Sequence, residues 1–513
     1  MDKLLLVNKE DKIIGTKEKV KCHEGDGVLH RAFSIYIFNS KGELLVQQRS
    51  RFKPLWPFYW ANSCCSHPRS GEGYIEAGER RLEEELGFTC ALRKVDQFQY
   101  KAKYKSVGSE NELLTVIIGI YDGEVRVNPE EVSKWQWINL NELKENIKNK
   151  PNDYAPWFKK GLKRYLKIKE KRTQEKEELK KLLSDISKKV EPITKELLET
   201  YIEKKFYTII NHQISTGGKR LRPALTVISS KMLGGKERDV IYPAVGTEIL
   251  HNSTLITDDI IDHSILRRGR PTVWKKYGKS IAECMGIDYT ATTFLAANNS
   301  PDTKRINEIF TKTLKIIADG EIYDILFEQR GREKEPYVHK NRYRNVTLEL
   351  YFKMVGKKTA TLLESCCEIG GICARAKEKD LKDLKEFGYN LGIAFQIQDD
   401  ILDIFGDEKK FGKKIGKDIE ERKLGNIVIL YAIQSLSKTK RESILKILKK
   451  RVVTDEDIKN AIDLIKQTSA RRKAFHLGEE YSNKAKESLK KLPQNKWNKY
   501  LQTLTDFTIE RKK

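Results

Sequence analysis

The apolar residues of this chain change their period once, and no single core can accommodate both periods. From residue 4 to about residue 137 they form short β-rich runs, AFSIYIF, ELLVQQ and LLTVIIGIY, parted by turns such as Asn39-Ser40-Lys41-Gly42. One helical stretch, residues 73–86, interrupts them, which makes an α/β pattern. From residue 167 onward the period is helical almost throughout, an all-α pattern. Between the two lies KIKEKRTQEKEELKK, residues 167–181, nearly all charged and rich in good helix formers, so it should belong to neither core. The expected organisation is multidomain: a mixed-sheet α/β domain over residues 1–165, a charged helical linker over 166–182 and an all-α helical bundle over 183–513. A length of 513 residues agrees, because domains average roughly 100–200 residues.

Composition excludes several classes. Hydrophobic residues at 39% are enough for packed cores and lie outside disordered composition. No apolar run approaches the roughly 18 residues of a membrane span, and the opening MDKLLLVNKEDK is too short in apolar residues for a signal-peptide core. A cytoplasmic location is therefore expected. The eight cysteines, adjacent at Cys64-Cys65 and Cys366-Cys367, show no spaced disulfide framework. A net charge of +25 attracts polyanions: nucleic acid, an acidic membrane face or phosphorylated small molecules. A lysine-rich solvated surface accounts for it equally well, so charge alone does not choose.

Three of the eight histidines, His23, His30 and His67, fall in the first 67 residues, upstream of the acidic ENE of Glu110 and Glu112. Imidazole nitrogens with carboxylate oxygens suit zinc, manganese or iron. Cys65 lies two residues from His67, so a thiol would sit close to that centre. The stretch RRLEEELGF resembles the end of the Nudix box, a signature that binds metal-diphosphate. Glu72, Arg80, Glu84, Glu85 and Gly87 stand in place, but Ser66 replaces a glycine and Arg81 replaces a glutamate.

These residues together resemble the type I isopentenyl-diphosphate isomerases over residues 4–162. The matches are GTKEK with Lys19, His23 and His30, Arg49 and Lys53 before WPFYWANSCCSHP, RRLEEELG, ENE, and APW with Trp157. The resemblance implies a Nudix-like fold, a metal at His23, His30, His67, Glu110 and Glu112, and Mg²⁺ at Glu85 on the substrate diphosphate. Zn²⁺ or Mn²⁺ suits the His/Glu site. Lys19, Arg49, Lys53 and Arg81 match diphosphate-binding positions. Moving a double bond requires one proton added and another removed. Cys65 and Glu112 are the candidates, with Tyr100 as helper and the Trp157 ring facing the cation.

In the helical half, LITDDIIDHSILRRGRPTVW carries Asp258, Asp259 and Asp262, and QIQDDILDIFGD carries Asp399, Asp400 and Asp403. Carboxylates at i and i+4 share a helix face and repel unless cations neutralise them. Mg²⁺ with phosphate oxygens fits. One such box is commonly a solvated acidic face; two embedded in apolar sequence point to a site. This half resembles the trans-polyprenyl diphosphate synthases of the geranylgeranyl and farnesyl type. The resemblance implies an isoprenoid-synthase bundle, usually a homodimer. It places isopentenyl diphosphate at Lys219, Arg222, His251 and Arg268. The allylic diphosphate falls to Arg267, Lys358, Thr359, Gln396, Lys413 or Lys414, and Lys423. Many relatives carry EGK where this chain has Glu421-Arg422-Lys423, and a histidine where it has Trp274.

The sequence thus reads as a bifunctional isoprenoid enzyme that makes dimethylallyl diphosphate and extends it, with no nucleic acid partner and a homo-oligomer through the synthase half. Ser253 and Thr254 lack the aromatic floor that shortens products in the family, so geranylgeranyl diphosphate, C20, is expected, with C15 or C25 and longer as alternatives. A synthase carrying a non-catalytic, regulatory isomerase-like domain is the rival reading. A nucleic-acid-binding protein is the other, and no zinc knuckle or RNP-type aromatic motif supports it.

Overall fold

The computed structural model describes residues 3–406 and 415–510. It forms two compact units, Met1–Thr173 and Gln174–Lys513, the first built on a mixed sheet and the second helical.

The sheet of the first unit has nine strands: β1 Lys3–Val7, β2 Ile13–Glu18, β3 His30–Phe38, β4 Leu44–Arg49, β5 Trp60–Ala61, β6 Cys64–Ser66, β7 Leu92–Tyr104, β8 Gly108–Ile120 and β9 Val132–Ile138. Strand β3 is its hub, antiparallel to β6 and parallel to β8. Alternation along β3 sends Ala32, Tyr36 and Phe38 to one face and Phe33, Ile35 and Ile37 to the other. Both faces are covered, so β3 reads as one continuous apolar run rather than an alternating one. Helix α1 is Lys19–His23, and α2, Tyr74–Leu86, covers the second face through Ala77, Leu82 and Leu86. The first face is covered by Trp157, Phe158, Leu162 and Tyr165 from the start of helix α3, Pro156–Glu199.

The charged segment 167–181 lies inside α3 and is helical. It is not solvated throughout, however: Leu179 is buried in the core of the second unit. One apolar residue at the right helical angle suffices for that, and net charge along a segment does not reveal it.

Among its described residues the second unit is helical apart from two short strands, Leu266–Arg267 and Arg270–Pro271. Its relevant helices are α4 Leu221–Met232, α5 Glu237–Ile261, α6 Lys279–Ala297, α7 Thr303–Leu326, α8 Thr361–Cys373 and α9 Glu378–Phe405. Helix α9 buries Leu384, Phe387, Leu391 and Ala394 at helical spacing. It carries the second aspartate box in its last turns, and α5 ends in the first. A π-helical stretch, Gly356–Ala360, holds Lys358 and Thr359. Such stretches often mark functional sites. It packs so closely on α7 that a Cβ at Gly320 would stand 2.4 Å from the Lys358 nitrogen. A glycine is what lets the two backbones meet. Among the described residues no helix is long and apolar enough to cross a membrane.

Candidate active sites

In the first unit, strand register assembles the histidine and glutamate cluster. His30 on β3 pairs with Glu112 on β8, and Tyr100 on β7 lies opposite Glu112 on its other side. His23 comes from α1, and His67 follows β6 directly. The potential ligand atoms of His23, His30, His67, Glu110 and Glu112 all lie within 4.8 Å of one another.

Backbone contacts fix which ring nitrogens face inward. His23 Nδ1 donates to the Lys19 carbonyl and His30 Nδ1 to the Val28 carbonyl, each at 2.7 Å. In the neutral form of each ring Nε2 is then the acceptor. His30 Nε2 stands 3.2 Å from His67 Nε2, and His23 Nε2 stands 3.1 Å from Glu110 Oε2, an oxygen that no donor satisfies. Lone pairs converging on one point, with a buried carboxylate oxygen left over, fit a divalent cation. Burial and the neighbouring His30 push His67 well below its usual value. Burial also penalises the Glu112 carboxylate, but His30, Glu110 and Tyr100 outweigh it and hold Glu112 below the usual range.

Cys65 lies beside this cluster. Its thiol donates to Asn62 Oδ1 at 3.5 Å and accepts from Trp157 Nε1 at 3.2 Å. Burial pushes the thiol up to about 12, with Arg49 opposing. Cys64 points the other way, into the α2 core. The Trp157 ring does not stand open on both faces: the Arg49 guanidinium lies over it, 5.1 Å from the ring centre, while donating to the Leu55 and Trp56 carbonyls.

Two of the four cations expected at the diphosphate, Lys53 and Arg81, are gathered by a residue that sequence reasoning missed. Glu131 bridges Lys53 and, at 3.1 Å, Arg81. Burial works against its charge, but the two cations hold Glu131 down at about 2. Arg81 also bonds Glu84 at 2.6 Å and the buried Glu85, whose other oxygen accepts from Gln47 at 3.2 Å. An arginine thus stands where the Nudix box has an acid. Lys19 is exposed at the start of α1.

In the second unit, Asp258 on α5 and Asp262, which follows it, are each reached by a lysine that also holds Asp324. Arg267 instead grips both Asp259 oxygens at 2.9 Å. Lys358 reaches Asp258 at 3.2 Å, Glu321 at 2.8 Å and Asp324 at 2.7 Å, and Lys423 reaches Asp262 at 3.1 Å and Asp324 at 3.0 Å. Glu321 and Asp324, on α7, are further residues the sequence reading missed. An acidic i, i+3 pair in the otherwise apolar GEIYDIL was the available signal.

The second box is oriented differently. Asp400 is turned inward, accepting from Tyr351 at 2.8 Å, Gln396 at 2.9 Å and the Ile427 amide at 2.9 Å. Asp403 caps the Lys417 and Asp418 amides at 2.9 and 3.2 Å. Burial pushes Asp400 and Asp403 well above the usual carboxylate range. Asp399 is half-buried, and Thr359 bonds Gln396 at 2.9 Å. Protein donors thus meet both oxygens of Asp259, Asp400 and Asp403.

His251 and Arg222 lie together near Arg268; burial and those guanidiniums keep His251 far below its usual value. Arg268 donates to the Gly217 carbonyl, and a Cβ at Gly218 would meet its guanidinium at 2.7 Å. Lys219 is exposed, its ammonium 5.4 Å from the Phe507 ring. Trp274 anchors the turn after the first box by donating to the Ser264 carbonyl at 2.8 Å. Lys413 and Lys414 lie outside the described residues. Arg422 adopts φ 63, a left-handed conformation that costs a non-glycine residue roughly 1 kcal/mol. A glycine would take that conformation without the cost.

Comparison with known proteins places both halves. The polyprenyl synthetase family model matches residues 203–465 and the NUDIX domain model residues 28–160. A geranylgeranyl diphosphate synthase of Saccharolobus solfataricus is 36% identical over 327 residues, 62% of this chain and 94% of its own length. Isopentenyl-diphosphate Delta-isomerase 2 of Photorhabdus laumondii is 47% identical over 161 residues, 31% of this chain and 90% of its own length. Among solved structures, the geranylgeranyl pyrophosphate synthetase of Pyrococcus horikoshii superposes with a TM-score of 0.59 at 32% identity, covering 65% of this chain and 99% of its own.

Proposed function

The chain belongs to the polyprenyl synthetase family through its second unit and to the isopentenyl-diphosphate isomerases through its first, and from that membership we propose that one polypeptide performs both reactions. It converts isopentenyl diphosphate to dimethylallyl diphosphate and condenses the two, head to tail, to the C20 product. The observation that carries this is the placement of the Cys65 thiol, bonded to Asn62 Oδ1 and Trp157 Nε1, beside the His/Glu cluster that contains Glu112. Cys65, pushed up to about 12, keeps its proton at neutral pH, while Glu112 is held as a carboxylate. An acid and a base set apart by their surroundings are what a double-bond shift needs.

In this reading Cys65 Sγ–H protonates the terminal alkene carbon and Glu112, helped by Tyr100, removes a proton from the carbon on the other side of the tertiary cation. Trp157 orients the thiol through Nε1 and offers its remaining face to the cation. Lys19, Arg49, Lys53 and Arg81 hold the diphosphate, and Glu85, now bonded to Arg81 and Gln47, would hold Mg²⁺. A zinc or manganese ion at His23, His30, His67, Glu110 and Glu112 would supply a fixed positive charge that orients Glu112.

In the second unit Asp258, Asp262 and Asp399 are the candidates for magnesium, while Asp259, Asp400 and Asp403 position Arg267, Gln396 and the Lys417-Asp418 turn. The few carboxylates left to each box suit Mg²⁺, which completes its shell with phosphate oxygens and water. Lys358, Thr359, Gln396, Arg267 and Lys423 hold the allylic diphosphate. Lys219, Arg222, His251 and Arg268 hold isopentenyl diphosphate. Exposed Ile281 and Ile287 on α6 and Ile322 on α7 support a homo-oligomer through this unit. The test is labelled isopentenyl diphosphate given alone, with Mg²⁺, to the purified chain. A labelled C20 allylic diphosphate is expected; no product without added dimethylallyl diphosphate overturns the bifunctional reading and favours a regulatory first unit.

A further inference from the structure

Lys423 reaches the first aspartate box, whereas its neighbour Arg422 bonds only backbone. Its carbonyl accepts from the Gln329 amide at 2.9 Å, and its Nη1 donates to the Arg451 carbonyl at 3.1 Å. The remaining guanidinium edge faces Gly331. A Cβ built there would have Arg422 Nη2 at 3.5 Å and, its chain neighbours aside, no atom from another residue within 4 Å. Gly331, at φ 94, is therefore an open floor with a guanidinium for one wall.

A second arginine closes on the same residue. Arg342 Nη2 donates to the Gly331 carbonyl at 2.7 Å and its Nη1 lies 3.5 Å from the Gln329 carbonyl. Neighbouring Arg330 and Arg332 have carboxylate partners, Glu333 at 3.3 Å and Glu328 at 2.8 Å. For Arg342 and Arg422 the structure gives no carboxylate partner among the described residues, and each keeps a buried Nε that no acceptor meets. Burial and the like charges of Arg330 and Arg332 push Arg342 below the usual arginine value, although Glu328 and Glu333 oppose this. The Glu333 carboxylate acts on both guanidiniums only at a distance, and a planar or tetrahedral oxyanion over the side-chain-free floor is the partner their fork geometry matches.

We propose that Arg342 and Arg422 form an accessory site over Gly331 for a phosphate-type oxyanion. The phosphate can come from free inorganic phosphate or diphosphate, or from the headgroup of a prenyl diphosphate. The site is joined to the reaction centre through the backbone, since the next residue, Lys423, holds Asp262 and Asp324.

Crystals of the full chain soaked in selenate, and separately in isopentenyl diphosphate without Mg²⁺, test this. Anomalous selenium density between the two guanidiniums is expected; Arg422→Gly and Arg342→Met should each abolish it. An ordered prenyl tail in the second soak would support a docking point for substrate, whereas selenate alone would support a free-phosphate site. In solution, the apparent affinity for inorganic diphosphate at this site should fall about tenfold in Arg422→Gly. That variant suits the left-handed backbone, so its melting temperature without phosphate should not fall, which separates lost binding from lost folding. Empty density in the wild-type chain with both probes, or density unchanged in both variants, would overturn the site.

Discussion

The two candidate sites neutralise their carboxylates by opposite means. In the first unit Glu110 and Glu112 face imidazoles whose Nε2 lone pairs point inward, and a buried oxygen of Glu110 has no donor. In the second, Asp258, Asp262 and Asp324 are already met by the ammonium groups of Lys358 and Lys423, and Asp259 by Arg267. The difference teaches what each site must do on binding. A cluster of acceptors gains by taking up a bare cation. A cluster already paired with lysines gains by taking up a magnesium-diphosphate, whose phosphates claim the lysines while its magnesium claims the aspartates.

The sharpest test of their independence is Cys65→Ala. Isomerisation should fall by about a thousandfold or more, because the proton donor is gone, while elongation from supplied dimethylallyl diphosphate stays within about twofold. Comparable loss of both rates in a folded variant would join what the comparison separates. Asp258→Ala and Asp399→Ala should do the converse, slowing elongation by roughly a hundredfold to a thousandfold and sparing isomerisation. Near-normal elongation in either would mean that the lysine-paired cluster is not where magnesium binds.

Metal removal should divide the units by stability as well. Dialysis against a chelator should lower the melting transition of the first unit, since a cation at a hundredfold excess over its Kd stabilises by about 3 kcal/mol. The second unit, whose carboxylates keep their lysines, should melt within about 1 kcal/mol of its starting stability. Equal shifts in both, read by differential scanning calorimetry, would erase the contrast. Product length probes the helical site alone. Ser253 is buried on α5 about one turn before Asp258, and Ser253→Phe should shorten the product. An unchanged chain-length distribution by liquid chromatography would place the stop elsewhere.

The smallest expected effect comes from Asp288 on α6, a carboxyl that burial pushes up to about 6 from 3.8. The folded state then holds a proton the unfolded state has released, so stability falls as pH rises from about 4 to about 6 and stays lower above it. After allowance for partial exposure, Asp288→Asn should stabilise the second unit by about 1 kcal/mol at pH 7 and by nothing at pH 3. Urea melts at the two pH values check the sign.

What the sequence determined was whatever its local spacing encodes. The change of period set a sheet unit against a helical one, because strands and helices repeat their apolar residues differently. The histidines, ENE and the two aspartate boxes were legible as chemistry because their residue types are costly to group without cations. The tertiary structure decided which oxygens remain for a ligand. Asp400 and Asp259 share motifs with Asp399 and Asp258 but turn to protein donors, since a helix points successive side chains about 100° apart. Glu131 joins Lys53 across 78 residues, and Lys423 joins Asp324 across 99. Leu179 enters a core from within a charged run. Such pairings depend on how closely elements pack, as Gly320 permits against Lys358. Closeness of that kind is a property of two backbones in space, which no spacing along one chain contains.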